Sequence, residues 1–278
     1  MEVQRFAAFS DGHAGGNPAG IVIGDAHPDA AEMQAVAADV GFSETAFAAP
    51  TDGAGHWRVR YFSPESEVPF CGHATIALGA ALAEREGRGT YHLHLNEARI
   101  SVDGAEAGGI YAAALQSPPT WHAVPDPGLL VGALDLMGYS AQDLDAALAP
   151  ARIHAGADHL LLALGSRSRL AAMDYDLDAG RALMTRHRLV TVMLVWRAGD
   201  GVVHVRNAFA SGGVLEDPAT GAAAAAFAGY LRDSGRAAGG SIDIVQGEDM
   251  GMRSLIRAEF SAVHGSSVRV SGTARRLP

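Results

Sequence analysis

The chain has 278 residues, 48% of them hydrophobic, and a formal net charge of −10 at pH 7. That is enough apolar material for two modest domains with real cores, and the acidic balance argues against a nucleic-acid or anionic-membrane surface. All 21 basic residues are arginine and Cys71 is the sole cysteine, which excludes Schiff-base, pyridoxal-phosphate and P-loop lysine chemistry and any internal disulfide.

Met1 to Arg5 lacks an apolar signal core, and no uncharged apolar run approaches the roughly 18–20 residues of a membrane helix. With its single thiol, the chain is expected in the cytoplasm. Val3 to Phe9 reads as a strand. Ser10 to Gly20 is a glycine-rich loop without a GxGxxG pattern, so it is no dinucleotide fingerprint. Within it, Asn17-Pro18 is a turn signal first and a ligand contact second. Pro28 to Val40 has helical spacing of Met33, Val36, Ala37 and Val40, and Gly41 ends it. Phe42 to Ala48 reads as a strand, with Glu44 a lone carboxylate among Phe42, Ala46 and Ala48 on one face.

The stretch from Val59 to Thr75 reads as a strand, a turn and the start of a helix. From Ala74 to Ala83 that helix carries no charge on any side, which marks it as buried. The construction recurs at an offset of 146 residues, Val59 against Val205 and Val68 against Val214. The second copy runs through Glu216-Asp217-Pro218-Ala219-Thr220-Gly221 into a helix with Phe227 and Tyr230. A constant offset places Asp217 against Cys71, Gly221 against Thr75, Thr191 against Thr45 and Val190 against Glu44. This is a two-fold duplication rather than a solenoid.

His92 and His94 share a strand face, which reads as solvated for want of a third ligand nearby. The proline-dense segment Gln116 to Gly128 is the expected domain boundary. It divides residues 1–116, with Glu44 and the first central helix, from residues 117–278, with Asp217 and the second. After it come helical signals at Leu129–Met137 and Ala141–Ala149 and strands at His159–Ala163 and Leu189–Val195. Ser267–Gly272 reads as a last strand that could cross back to the first domain, followed by Arg275-Arg276 as a solvated tail.

A helix N-terminus presents unpaired amide donors and a positive dipole end. If the halves are related by a pseudo-two-fold axis, the two helix starts are expected to converge on a shared cleft. Gly72 lets a ligand approach the backbone, and His73 and Asp217 would flank that point. Asp217 before Pro218 also fits an N-cap with proline at the first helical position. Cys71 reads equally as a small buried hydrophobe or a thiol activated by the helix start. No GxSxG elbow, HExxH, paired CxxC or EF-hand loop occurs, so no metal site is expected. What remains is proton transfer by carboxylate and imidazole, with amides holding an anion.

Gly16–Gly20, Ser43–Phe47, Arg60–Pro64, Glu67–Thr75 (with CGHAT) and Glu216–Gly221 (EDPATG) resemble the phenazine-biosynthesis PhzF family, and Gln246-Gly247 to Met250-Gly251 is similar to a later motif of it. The resemblance implies an α+β, diaminopimelate epimerase-like fold of two pseudo-symmetric domains, each a curved mixed sheet around a central buried helix. It implies a cofactor-free isomerase, a homodimer, acting on a small anionic metabolite, with trans-2,3-dihydro-3-hydroxyanthranilate isomerisation as the founding activity. By motif position Glu44 is the acid/base and His73 and Asp217 are its polar partners. Asn17, Ser43, Gly72, Ser211, Gly212, Thr220 and Gly221 are the implied substrate contacts. Two departures stand out: Ala222 where serine is common, and Phe209-Ala210-Ser211 where proline usually follows the aromatic. Two other functions fit the residues: a two-base amino-acid epimerase or racemase using Cys71 and Asp217, and a non-catalytic small-molecule-binding protein on the same scaffold.

Overall fold

The computed structural model describes residues 2–198 and 201–278. The chain divides into two compact units: one ends at Gln116 and takes back Ser271–Pro278, and the other is Ser117–Val270.

The first unit contains β1 (Gln4–Ala8), β2 (Asn17–Ile23), α1 (Ala30–Val40), β3 (Thr45–Pro50), β4 (His56–Phe62), β5 (Glu67–Val68), α2 (Gly72–Glu86), β6 (Gly89–His94), β7 (Arg99–Ala107) and β8 (Ile110–Gln116). The final described strand, β17 (Arg269–Arg276), pairs with both β1 and β8. That pairing closes an 8-strand barrel of β1, β2, β3, β4, β6, β7, β8 and β17. A helix apolar all round must be enclosed, and α2 is: Ala74 to Ala83 are all buried against the barrel strands. The fit depends on missing side chains. A Cβ on Gly104 of β7 would lie 2.4 Å from the Gly79 carbonyl oxygen of α2. Outside the barrel α1 packs Met33 and Ala37 on Val22, Phe47 and Phe62. Asp29 caps α1 by accepting from Glu32 N at 2.8 Å, and Gly41 ends it in the left-handed region.

The second unit contains β9 (Trp121–Ala123), α3 (Pro127–Leu136), β10 (Ala151–His154), β11 (Asp158–Ala163), α4 (Arg167–Ala171), α5 (Leu177–His187), β12 (Thr191–Arg197), β13 (Val203–Ala208), β14 (Glu216–Asp217), α6 (Gly221–Asp233), β15 (Gly240–Gln246) and β16 (Ser254–Phe260). Its central helix is α6, buried from Ala223 to Arg232 and packed on β9, β10, β11, β15 and β16. Helices α3 and α5 cover the other face through a core that includes Leu129, Ala133, Met184, Leu160 and Leu194. The pairing order repeats that of the first unit. Strands β10–β11–β12–β13–β15–β16 alternate antiparallel and parallel as β1–β2–β3–β4–β6–β7 do.

Three sequence expectations change. Ala141–Ala149 forms only a 3-10 turn at Ala141–Asp143. Asp143 accepts from Ser140 N and Oγ, and Asp145 accepts from Ala147 N, local bonds that compete with a helix. Arg275 and Arg276 are not a tail but the end of β17, paired with Ala7 and Phe6. The strand expected from Phe42 begins at Thr45, so Ser43 and Glu44 lie just before it, although the Glu44 carbonyl already accepts from Gly20 N at 3.1 Å.

Candidate active site

In the first unit the approach to β3 and the start of α2 bring four candidate groups together. Glu44 Oε2 lies 3.4 Å from His73 Nε2, with the two side chains only 15% and 8% exposed. Ser43 Oγ is also 3.4 Å from that nitrogen. On the other side of the ring, Nδ1 is 3.3 Å from Cys71 Sγ. The imidazole therefore stands between a thiol and a carboxylate. Cys71 occupies the N-cap position of α2 without a side-chain capping bond, and no acidic residue lies in the first turn. At Gly72 a Cβ would meet nothing within 4 Å. Beneath this corner the buried Thr75 hydroxyl donates to Cys71 O at 2.6 Å and accepts from Tyr61 Oη at 2.7 Å. That bond pattern anchors the backbone that presents Cys71, Gly72 and His73.

Glu44, Cys71 and His73 also form the one group of metal-ligand side chains found among the described residues, their donor atoms all within 4.8 Å of one another. Sequence spacing shows no such set, because Glu44 comes from a different element. A similar convergence occurs on β4 and β6. The parallel pairing sets His56 opposite His92, stacked at 4.7 Å, and His56 Nδ1 is 3.1 Å from His94 Nε2. A third imidazole thus does lie near His92 and His94, supplied by a neighbouring strand.

In the second unit Asp217 is buried at the end of β14, opposite Asn207. It is not the N-cap of α6. That position belongs to Thr220, which makes no side-chain capping bond. Instead Thr220 Oγ1 donates to Asp217 Oδ2 at 2.5 Å. Gln246, at the end of β15, donates from Nε2 to Asp217 O at 2.7 Å and accepts at Oε1 from Thr220 N at 3.2 Å. Gly247 turns the chain there with φ of 72°, and a Cβ on it would be 2.8 Å from Pro218 O. The motif containing Gln246-Gly247 is therefore a brace for the Asp217–Thr220 segment, a role its sequence did not disclose.

The duplication is real, but its offset is not constant. Thr45 and Thr191 open β3 and β12 at the expected spacing of 146. Beyond β4 and β13 the spacing becomes 149, since Glu67 corresponds to Glu216 and Gly72 to Gly221. The added residues form a 3-10 turn at Ala210–Gly212. An ion pair repeats with the corrected spacing, Arg60–Glu67 at 2.6 Å and Arg206–Glu216 at 2.5 Å. The counterpart of Cys71 is thus Thr220, and that of Asp217 is Val68. A hydroxyl, not a carboxylate, stands where a second thiol would be needed for a cysteine pair.

Of the remaining expected contacts, Asn17 is buried at the start of β2, paired with Ala8. Gly221 is buried as the first residue of α6. Ser211 and Gly212 are exposed in the 3-10 turn, where Ser211 Oγ donates to Val190 O at 2.6 Å.

Residues 6–277 match the family profile of phenazine biosynthesis-like proteins, PhzC-PhzF. The chain belongs to this family. It is 31% identical over 271 residues to trans-2,3-dihydro-3-hydroxyanthranilate isomerase of Pseudomonas chlororaphis, covering 95% of this chain and 93% of that protein. The crystal structure of a Bacillus anthracis phenazine biosynthesis protein of the PhzF family superposes with a TM-score of 0.87 at 21% identity, over 100% of this chain and 98% of that one. A predicted epimerase from Pseudomonas aeruginosa gives 0.83 at 26% identity, with coverage of 100% and 98%. The fold is the diaminopimelate epimerase-like α+β architecture of PhzF proteins, and the chain is an isomerase of that family. Against the serine common in PhzF proteins, half-buried Ala222 in the first turn of α6 leaves only its amide N–H to offer. No described helix is long and apolar enough to cross a membrane.

Proposed function

We propose that this PhzF-family isomerase moves a proton between carbons of a small carboxylate-bearing substrate, without a cofactor and with Glu44 as the acid/base. The Glu44 carboxylate removes a proton from a carbon beside an activating group and leaves a delocalised substrate anion. The same carboxylic acid then returns the proton to another carbon, so atoms, charge and oxidation state balance. His73, in contact with Glu44 and next to Ser43, orients the carboxylate and donates to a polar substrate group. The observation that carries this reading is the Glu44–His73 contact at 3.4 Å, with both groups mostly withdrawn from water. General acid–base catalysis of this kind contributes about 10²–10⁴-fold.

The reading gives Asp217 a hydrogen bond to the substrate and assigns anion binding to the amides that open α2 and α6. Neither helix has an acidic residue in its first turn or a side-chain bond from its N-cap. Asn17, Ser43, Gly72, Ser211, Gly212, Thr220 and Gly221 are the proposed lining. The substrate is proposed to resemble trans-2,3-dihydro-3-hydroxyanthranilate, after the relative named for it. The proposal extends to a cytoplasmic homodimer, by the lone thiol and the family resemblance.

The test is solvent deuterium exchange into that compound, followed by mass spectrometry. Wild-type protein should incorporate deuterium at the acceptor carbon, and Glu44→Gln should lose about 10²-fold or more of that rate. Undiminished exchange in Glu44→Gln would overturn the role.

A further inference from the structure

A row of buried polar side chains crosses the second unit from β11 to Asp217. His159 on β11 is fully buried and stands opposite Thr191 on β12. His159 Nδ1 is 2.8 Å from Thr191 Oγ1, which is 3.0 Å from Asn207 Oδ1 on β13. Asn207 Nδ2 is 3.1 Å from Gln246 Oε1 on β15. Gln246 Nε2 is 3.0 Å from Thr220 Oγ1, which bonds Asp217 Oδ2. His159, Thr191, Asn207 and Gln246 are each no more than 1% exposed.

Two backbone groups set the direction of the entire row. Thr220 N–H can only donate and Asp217 C=O can only accept, so Gln246 must turn Oε1 to the first and Nε2 to the second. Asn207 then has to present Nδ2 to Oε1, which turns its own Oδ1 toward Thr191. Thr191 must donate to Asn207 and so accepts from His159, whose proton is on Nδ1. At the other end, Gln246 Nε2 occupies a lone pair of Thr220 Oγ1 and leaves the hydroxyl proton for Asp217. Every donor points the same way, and bonds aligned like this polarise one another. Among the described residues, the first unit shows no such row. Its residue in the place of His159 is Gly20, where a Cβ would lie 2.6 Å from Thr45 Oγ1.

We propose that Gln246, Asn207 and Thr191 are positioning residues: through Thr220 they hold Asp217 in one orientation with Oδ2 as an unprotonated acceptor. The proposal rests on Asp217 taking part in the reaction proposed above. Of the charged groups on β13 and β14 beside it, Arg206 and Glu216 bond each other.

The experiment is a ¹³C carboxyl NMR titration of Asp217, assigned with Asp217→Asn, alongside kcat and KM for the isomerisation. Gln246→Met keeps the volume but releases the Thr220 hydroxyl, so the Asp217 midpoint should rise by about one pH unit. Its kcat should fall about tenfold while KM changes less. Thr191→Val should move both in the same direction, and Thr191→Ser, which keeps the hydroxyl, should restore them. A folded Gln246→Met protein with the wild-type midpoint and kcat overturns the proposal. If Gln246→Met does not fold, a Thr191→Val titration indistinguishable from that of Thr191→Ser overturns it. The NMR arm reads the row whether or not the test compound is turned over, so a wrong substrate and a wrong row give different results.

Discussion

Glu44 and His73 meet at 3.4 Å although β3, β4 and β5 separate them in the chain, and the far side of the same ring faces the Cys71 sulfur at 3.3 Å. One imidazole thus lies between a carboxylate and a thiol.

Residues that work as a unit are non-additive when removed. Glu44→Gln and His73→Gln should each lower kcat, Glu44→Gln the more. The double variant should be no worse than Glu44→Gln by more than about threefold. Steady-state kinetics on the four proteins measures this. Full multiplication of the two losses would show that the residues act separately.

The three donor atoms around this ring have the composition of a soft-metal site. Carboxylate, imidazole and thiolate suit Zn²⁺ with an open fourth position, and the 3.4 Å between Oε2 and Nε2 is close to the spacing of two ligands on a tetrahedral ion. Added Zn²⁺ should inhibit by occupying the acid/base, and a chelator should reverse it. Titration with Co²⁺ should produce a thiolate charge-transfer absorption that Cys71→Ser abolishes. The same absorption in Cys71→Ser would place the metal elsewhere.

Burial pushes the His159 imidazole down from 6.5 to about 3. The unfolded chain therefore binds a proton below about pH 6.5 that the folded protein refuses until about pH 3. Stability from this group is intact above the unfolded value and falls with pH through that window, by up to about 1.4 kcal/mol per pH unit. Denaturant melts from pH 7 to pH 4 should show wild type losing stability relative to His159→Gln. A stability difference independent of pH would contradict this assignment.

The duplicated ion pair is a comparison made within one molecule. Glu67 and Arg60 are 28% and 22% exposed, while Glu216 and Arg206 are 5% and 12%. Breaking an exposed pair costs about 0–1 kcal/mol, and stranding a buried arginine about 3–5 kcal/mol. Glu216→Gln should therefore lower the unfolding free energy by several times what Glu67→Gln does, as urea melts will measure. Equal losses would mean that burial does not set their worth.

The two central helices were legible because their pattern is extreme: a run of alanine, leucine and isoleucine without charge has nowhere to go but inside a sheet. Glu44 was legible as a charge out of place among apolar neighbours. The register slip from 146 to 149 was hidden, because Val214 offers a false match to Val68 while the strand pairing selects Glu216 and Asp217. The row from His159 to Asp217 was equally hidden. Its members are scattered along the chain, and only the sheet order makes them neighbours. Asp217, Thr220 and Gln246 stood out in motifs and Thr191 as the counterpart of Thr45, but nothing in the sequence joined them.

The strand that completes the first barrel is synthesised only after the second unit. Until Ala274, Arg275 and Arg276 emerge to pair with Ala8, Ala7 and Phe6, β1 has an unfilled hydrogen-bonding edge. The N-terminal half must therefore wait, open on one side, through synthesis of the whole second unit, which at about 5–20 residues per second takes many seconds. A chain stopped just after Val270 would carry its second unit complete and its first barrel unsealed.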